Sequence, residues 1–135
     1  MKGIHVYLNF DGNCREAMTF YKAALGGELQ MMTFGETKQG DAKDSDRIMH
    51  ARLTVGPVVM MASDTMSSMT LTRGNDFFVS VDCESKEEVD RFSKALGHGG
   101  NVMLAPQEMF WGAYFGMLTD KFGVQWMFNF DKPTA

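Results

Sequence analysis

Ile4-His5-Val6-Tyr7-Leu8-Asn9-Phe10-Asp11-Gly12-Asn13 is the stretch on which the fold turns. Val6, Leu8 and Phe10 fall on one side of an extended chain and His5, Tyr7 and Asn9 on the other, the period of two that marks a half-buried strand. Asp11-Gly12 breaks the alternation. Asn13 then stands where a helix cap belongs, ahead of a helix running through Ala24. Its Ala17, Met18, Tyr21 and Leu25 recur at helical spacing, and Gly26-Gly27 supply the left-handed stop. A strand over Leu29 to Phe34 is expected next, followed by a polar loop from Gly35 to Asp46. Ile48 to Val55 alternates again, with Met49, Ala51, Leu53 and Val55 against His50, Arg52 and Thr54, and Gly56-Pro57 turns the chain into Val58 to Ser63. The first module is therefore strand, helix, three strands.

The same order returns after a Ser-, Thr- and Met-rich linker from Asp64 to Asn75. Phe77 to Val81 reads as a strand. Ser85 and Glu88 form a capping box for a helix whose Val89, Phe92 and Leu96 make one apolar face, ended by Gly97-His98-Gly99-Gly100. Asn101 to Leu104, Phe110 to Thr119 and Val124 to Phe130 read as three more strands. The fold class that follows is α+β, with module one at 1–66 and module two at 72–135 of a single domain. A ferredoxin-like sheet with unrelated additions is the competing topology.

Composition narrows the function. With 135 residues and 44% hydrophobic content, the chain is long enough to bury a core of its own. A net charge of −4 opposes binding to nucleic acid or to anionic lipid. No apolar run approaches the roughly 18 residues that span a bilayer, and Met1 to His5 lacks the apolar core of a signal peptide, so a cytoplasmic location is expected. Cys14 and Cys83 have no metal-site spacing and read as free thiols. The 13 methionines suit irregular packing or a forgiving binding wall.

Three segments carry a resemblance. Tyr7 to Cys14, Phe20-Tyr21, and above all Phe110-Trp111-Gly112-Ala113-Tyr114-Phe115-Gly116-Met117-Leu118-Thr119-Asp120-Lys121-Phe122-Gly123 resemble the PhnB-like family of the glyoxalase, bleomycin-resistance and dioxygenase (vicinal oxygen chelate) superfamily, part of which is also labelled demethylubiquinone methyltransferase. The resemblance implies paired βαβββ modules whose curved mixed sheets enclose a cleft, and a homodimer. Metal-using relatives place one ligand in the first and one in the last strand of each module. Here those positions fall on His5, on Met60 or Met61, on Asp76 or Asn75, and on Met127. Thioether sulfur is a poor donor in an oxygen and nitrogen site, and the remaining ligands fall short of a catalytic set, so no metal or other cofactor is expected.

Strand parity gathers a candidate site. Gln125, Met127 and Asn129 share the face of the last strand opposite Val124, Trp126 and Phe128. If that face looks into the cleft, its wall carries His5, Tyr7, Asn9, Met60, Asp76 and Phe78, with Trp111 and Tyr114 as further ligand contacts. His50 and Arg52 are the candidate catalytic pair, a general base beside an oxyanion stabiliser. A planar guanidinium at Arg52 also suits a carboxylate or phosphonate ligand. The binding reading is a small aromatic or anionic molecule held without metal chemistry. The competing reading is a lyase or isomerase of the superfamily. A methyltransferase needs a cofactor turn, and Asp11-Gly12-Asn13-Cys14 lacks the glycine set of the dinucleotide type.

Overall fold

The structure, a computed structural model, describes residues 1–133. The chain forms two compact units, Met1–Thr72 and a second beginning at Arg73. In the first, β1 (Val6–Phe10), α1 (Cys14–Leu25), β2 (Glu28–Thr33), β3 (Ile48–Val55) and β4 (Val58–Asp64) build one sheet of order β1-β4-β3-β2. In the second, β5 (Val79–Asp82), α3 (Lys86–Gly97), β6 (Asn101–Glu108), β7 (Ala113–Thr119) and β8 (Gln125–Asp131) repeat the pattern as β5-β8-β7-β6. Each sheet joins its first and last strands in parallel and the others antiparallel. These are the two βαβββ modules that the periodicity predicts. No helix among the described residues is long and apolar enough to cross a membrane.

Each helix covers one face of its own sheet. Cys14, Ala17, Met18 and Tyr21 of α1 are buried with Phe10, Ala51, Leu53, Met60 and Ala62 of the strands. Val89, Phe92 and Leu96 of α3 are buried with Leu118, Trp126 and Phe128. Removing these apolar faces from water is the main stabilising term, roughly 1.5–3 kcal/mol for each large side chain.

Local chemistry departs from expectation in five places. Asn13 makes no side-chain cap. Instead Asp64, at the end of β4, accepts the amides of Gly12 (2.8 Å) and Cys14 (3.0 Å) on Oδ1 and that of Ile48 (2.8 Å) on Oδ2. A buried carboxylate from another strand thus satisfies the helix start, which local sequence cannot reveal. The stretch expected as a loop contains α2 (Phe34–Thr37), closed by a reciprocal Thr33–Glu36 capping box, and a 3-10 turn at Ala42–Asp44. At α3, Ser85 Oγ accepts the Glu88 amide as expected, but the Glu88 carboxylate takes the amide of Glu84.

The fourth departure lies in the FWG segment. β6 extends to Glu108 through Pro106, which an edge strand tolerates, and Met109 to Gly112 form the loop into β7. Gly112, at φ 91°, takes the left-handed conformation that the loop requires. Phe110 and Trp111 therefore sit on a hairpin tip rather than in a strand. Likewise Phe77 and Phe78 precede β5, and the Phe77 carbonyl accepts the side-chain amide of Gln125 at 2.6 Å instead of a ladder bond.

Each unit contains the same kind of close backbone approach. Gly27 and Gly100 each directly precede the second strand of their unit. A Cβ at Gly27 would lie 2.2 Å from the Thr54 carbonyl oxygen, and one at Gly100 would lie 2.3 Å from that of Thr119. Thr54 and Thr119 are the partners of Glu28 and Asn101, the first residues of those strands.

Candidate functional site

Register decides which side chains share the face of the first sheet opposite α1. Tyr7 pairs with Met61, Met61 with Arg52, and Arg52 with Gln30, so these four lie in one row across the sheet. Asn9 pairs with Ser63, and His50 with Met32, in the next row. The buried partners Leu53, Ala51, Ala62 and Phe10 point the other way, toward α1. This open face therefore combines six polar or charged groups with the exposed thioether of Met32 and the half-buried one of Met61.

The strongest contact on it is between Tyr7 and His50. The Tyr7 hydroxyl lies 3.0 Å from His50 Nδ1, with the rings 5.7 Å apart and tilted. A phenol hydroxyl can donate to an imidazole nitrogen that carries no hydrogen, an arrangement that leaves Nε2–H directed elsewhere. Ser63 Oγ donates to Asn9 Oδ1 at 3.2 Å. Arg52 is exposed, and among the described residues no carboxylate pairs with it. An exposed, unneutralised guanidinium two residues from an oriented imidazole can bind an anion and donate to a second oxygen.

The remaining expected residues divide. His5 is exposed just ahead of β1. Met60 faces the buried side and is 4% exposed, whereas its neighbour Met61 takes the open face. In the second unit, Met127 pairs with Met117 and Ser80 on the face away from α3, and Gln125 is buried and tied to the Phe77 carbonyl. Asp76 is exposed and Phe78 half-buried, both before β5. Trp111 stands against Phe110 and Phe115. Tyr114 is turned to the helix side, where its hydroxyl donates to Asp90 Oδ1 at 2.7 Å, and that bond raises its pKa. The structure thus brings Tyr7, Asn9, His50 and Arg52 together and separates Met60 and Tyr114 from the faces that carry the others. Ser63, Gln30, Met32 and Phe115 join the open faces unannounced, although alternation from Met61 and Met117 points to Ser63 and Phe115.

Two further features limit the chemistry. No group of three His, Cys, Asp or Glu side chains that could hold a metal exists among the described residues. The thioethers of Met61 and Met127 stand where metal-using relatives would need hard donors, so the residues present do not fit a catalytic divalent ion. A hollow of about 460 Å³ opens at the start of α1, lined by Gly12, Asn13, Arg15, Glu16, Thr19 and Asp64 among others. It lies on the helix side, away from Tyr7 and Arg52, and its one buried carboxylate is already bonded to three amides. That same saturation occupies the amides a cofactor would use at this turn.

Comparison with known proteins agrees with this architecture. The chain is 36% identical to protein YjdN of Escherichia coli over 93% of each sequence. The crystal structure of PA1353 from Pseudomonas aeruginosa superposes with a TM-score of 0.89 at 42% identity, covering 96% of this chain and 98% of that one. A PhnB protein from Bacillus cereus superposes at 0.77 with 25% identity, covering 94% and 98%. The family model described as 3-demethylubiquinone-9 3-methyltransferase matches residues 2–128. Two βαβββ modules, the match across nearly the whole chain and these relatives place the protein in that PhnB-like family, on the glyoxalase and bleomycin-resistance fold.

Proposed function

We propose that the protein binds a small anionic or aromatic molecule on the open face of its first sheet, with Arg52 as the anchor for the acid group. The single observation that carries this reading is the exposed Arg52 guanidinium, unpaired with any described carboxylate, beside the Tyr7–His50 contact. Arg52 and His50 are two strand positions apart on one face, about 6–7 Å along the chain, a spacing that a ring-sized ligand bridges. Met61 and Met32 supply an adaptable apolar floor. Metal chemistry has no part in the proposal, because the donor set does not fit it. Methyl transfer, which the family's description names, finds no support in the turn after β1.

A homodimer in the cytoplasm completes the proposal. The family resemblance supports the first, and two buried free thiols, which a reducing compartment preserves, support the second. The Tyr7–His50 contact also favours a second reading, in which this pair moves a proton on the bound molecule, as in a lyase or isomerase.

Thermal shift followed by calorimetry with a panel of aromatic acids and their methyl esters tests the first reading. The acids are expected to bind, the esters to bind about tenfold more weakly, and Arg52→Met to weaken the acids by a similar factor. Equal binding of acid and ester, or no effect of Arg52→Met, would reject it. Turnover of a bound compound that Tyr7→Phe and His50→Gln abolish without loss of binding would establish the second.

A further inference from the structure

The second unit has an open face of opposite character. Asp82 pairs with Asn129, and Asn129 with Phe115, across β5, β8 and β7. Asp131 follows Asn129 on the same side of β8, and its Oδ1 accepts the Asn129 side-chain amide at 3.0 Å. Trp111, from the hairpin tip, sets its ring against Phe115 at 5.7 Å and 69°, and Phe110 stands against Trp111 at 5.1 Å and 87°. Despite these contacts, Phe110 is 96% exposed and Trp111 50% exposed. Such exposure of large rings is costly unless something covers them.

Two properties decide what fits. Rings set nearly at right angles form an open corner with two π-faces, each carrying negative potential. A rounded cation contacts both walls of such a corner, whereas a flat ring stacks on only one. The charge around the corner points the same way. By register, the strand residues on this face include Asp82 and Asp131 but no Lys or Arg. Lys86 and Lys132 are engaged with the same partner: both pair with Glu108, and Lys86 lies over Tyr114, which faces α3. Asp131 sits diagonally from Phe115, about 7 Å away between Cβ atoms. Its carboxylate thus stands on the same face as Phe115, one diagonal step away in the register.

We infer that Phe110, Trp111 and Phe115, with Asp131 and Asp82 as counter-charges, form a binding site for a small organic cation bearing a methylated ammonium head. This site belongs to the second unit's sheet and is opposite in sign to the Arg52 face, and it stands whether or not that face binds acids.

The test uses the full chain, with choline and its uncharged isostere 3,3-dimethylbutan-1-ol as probes, and the indole N–H resonance of Trp111 as the readout. Trp126 is fully buried and bonded to Asp120, so its indole signal serves as an internal control. Choline is expected to shift the Trp111 signal saturably. The isostere should bind about fivefold more weakly, and Trp111→Leu should remove the accompanying shift of the Phe115 amide. Asp131→Asn should weaken choline about threefold and reduce its salt dependence. Equal affinity for the two probes, an unchanged Phe115 response in Trp111→Leu, or a Trp111 signal that moves with protein concentration alone would overturn the proposal. The last outcome would assign the rings to self-association. An unchanged Trp126 signal in each variant confirms that the unit remains folded.

Discussion

The Tyr7 hydroxyl reaches across an intervening strand to His50: β4 lies between β1 and β3, yet the oxygen and Nδ1 are 3.0 Å apart. A phenol that donates to Nδ1 favours the imidazole tautomer with its proton on Nε2. Nitrogen-15 shifts of the neutral ring should show that form dominant in the wild-type protein and a mixture in Tyr7→Phe. The substitution removes one exposed hydrogen bond, so it should cost no more than about 1 kcal/mol in denaturant unfolding. An unchanged tautomer ratio would show that the phenol does not orient the ring.

Asp64 should be among the most sensitive polar positions. Asp64→Ala strands three amides, two of them at the start of α1, and should cost roughly 3 kcal/mol or more. Asp64→Asn retains one acceptor oxygen and should fall between the two. The midpoint of urea unfolding measures both, and a loss below about 1 kcal/mol for the alanine variant would contradict the clamp.

Both thiols should be silent in the native state. Burial, first of all, and then nearby carboxylates (Asp64 for Cys14, Glu88 for Cys83) push each pKa up to about 12. An aromatic disulfide reagent at pH 8 should label them only after unfolding. Unfolding returns the thiols to about 9, so the stability they lend is fully present below that value and is lost as pH rises toward 12. Cys14→Ala with Cys83→Ala should accordingly flatten the fall in melting temperature over that interval, although cavities lower its absolute value.

Asp44 acts at the opposite end of the pH scale. Hydrogen bonding from Ser67 holds its carboxyl below the usual carboxylate range, with Arg47 and Lys43 adding to the effect. Its contribution is present above the unfolded value of 3.8 and disappears as pH falls through the lower native one. Asp44→Asn should therefore lower the melting temperature at pH 7 and narrow the difference from wild type as the solution is acidified toward pH 2. A constant difference would assign the loss to packing instead.

Much of this was legible because short-range patterns are themselves physical. The alternation from Val6 to Phe10 and from Ile48 to Val55 assigned core and open faces as the structure has them, and with them the company of Tyr7, Asn9, His50 and Arg52. What escaped was set by distant partners or by register. Asp64 replaces Asn13 as the acceptor at α1, although it is far away in sequence. Met60 and Met61 are chemically identical, so only the pairing with Leu53 and Arg52 tells which one is buried. The apolar run around Phe110 and Trp111 suggested a strand, but Gly112 and the Met109–Ala113 bond make it a hairpin loop. Tyr114 lies in β7, inside the expected strand, but its hydroxyl is bound to Asp90 on α3, a partner that local sequence does not reveal.

Gly27 and Gly100 carry a consequence for how freely this sequence can drift. At both places the backbone of a neighbouring strand occupies the volume where any side chain would begin, so the prohibition is indifferent to polarity and size. A saturation mutagenesis survey should find them to be twin dead spots, intolerant even of alanine, in halves that otherwise share little wording. The doubled architecture thus preserves a common steric veto where it has preserved few common letters.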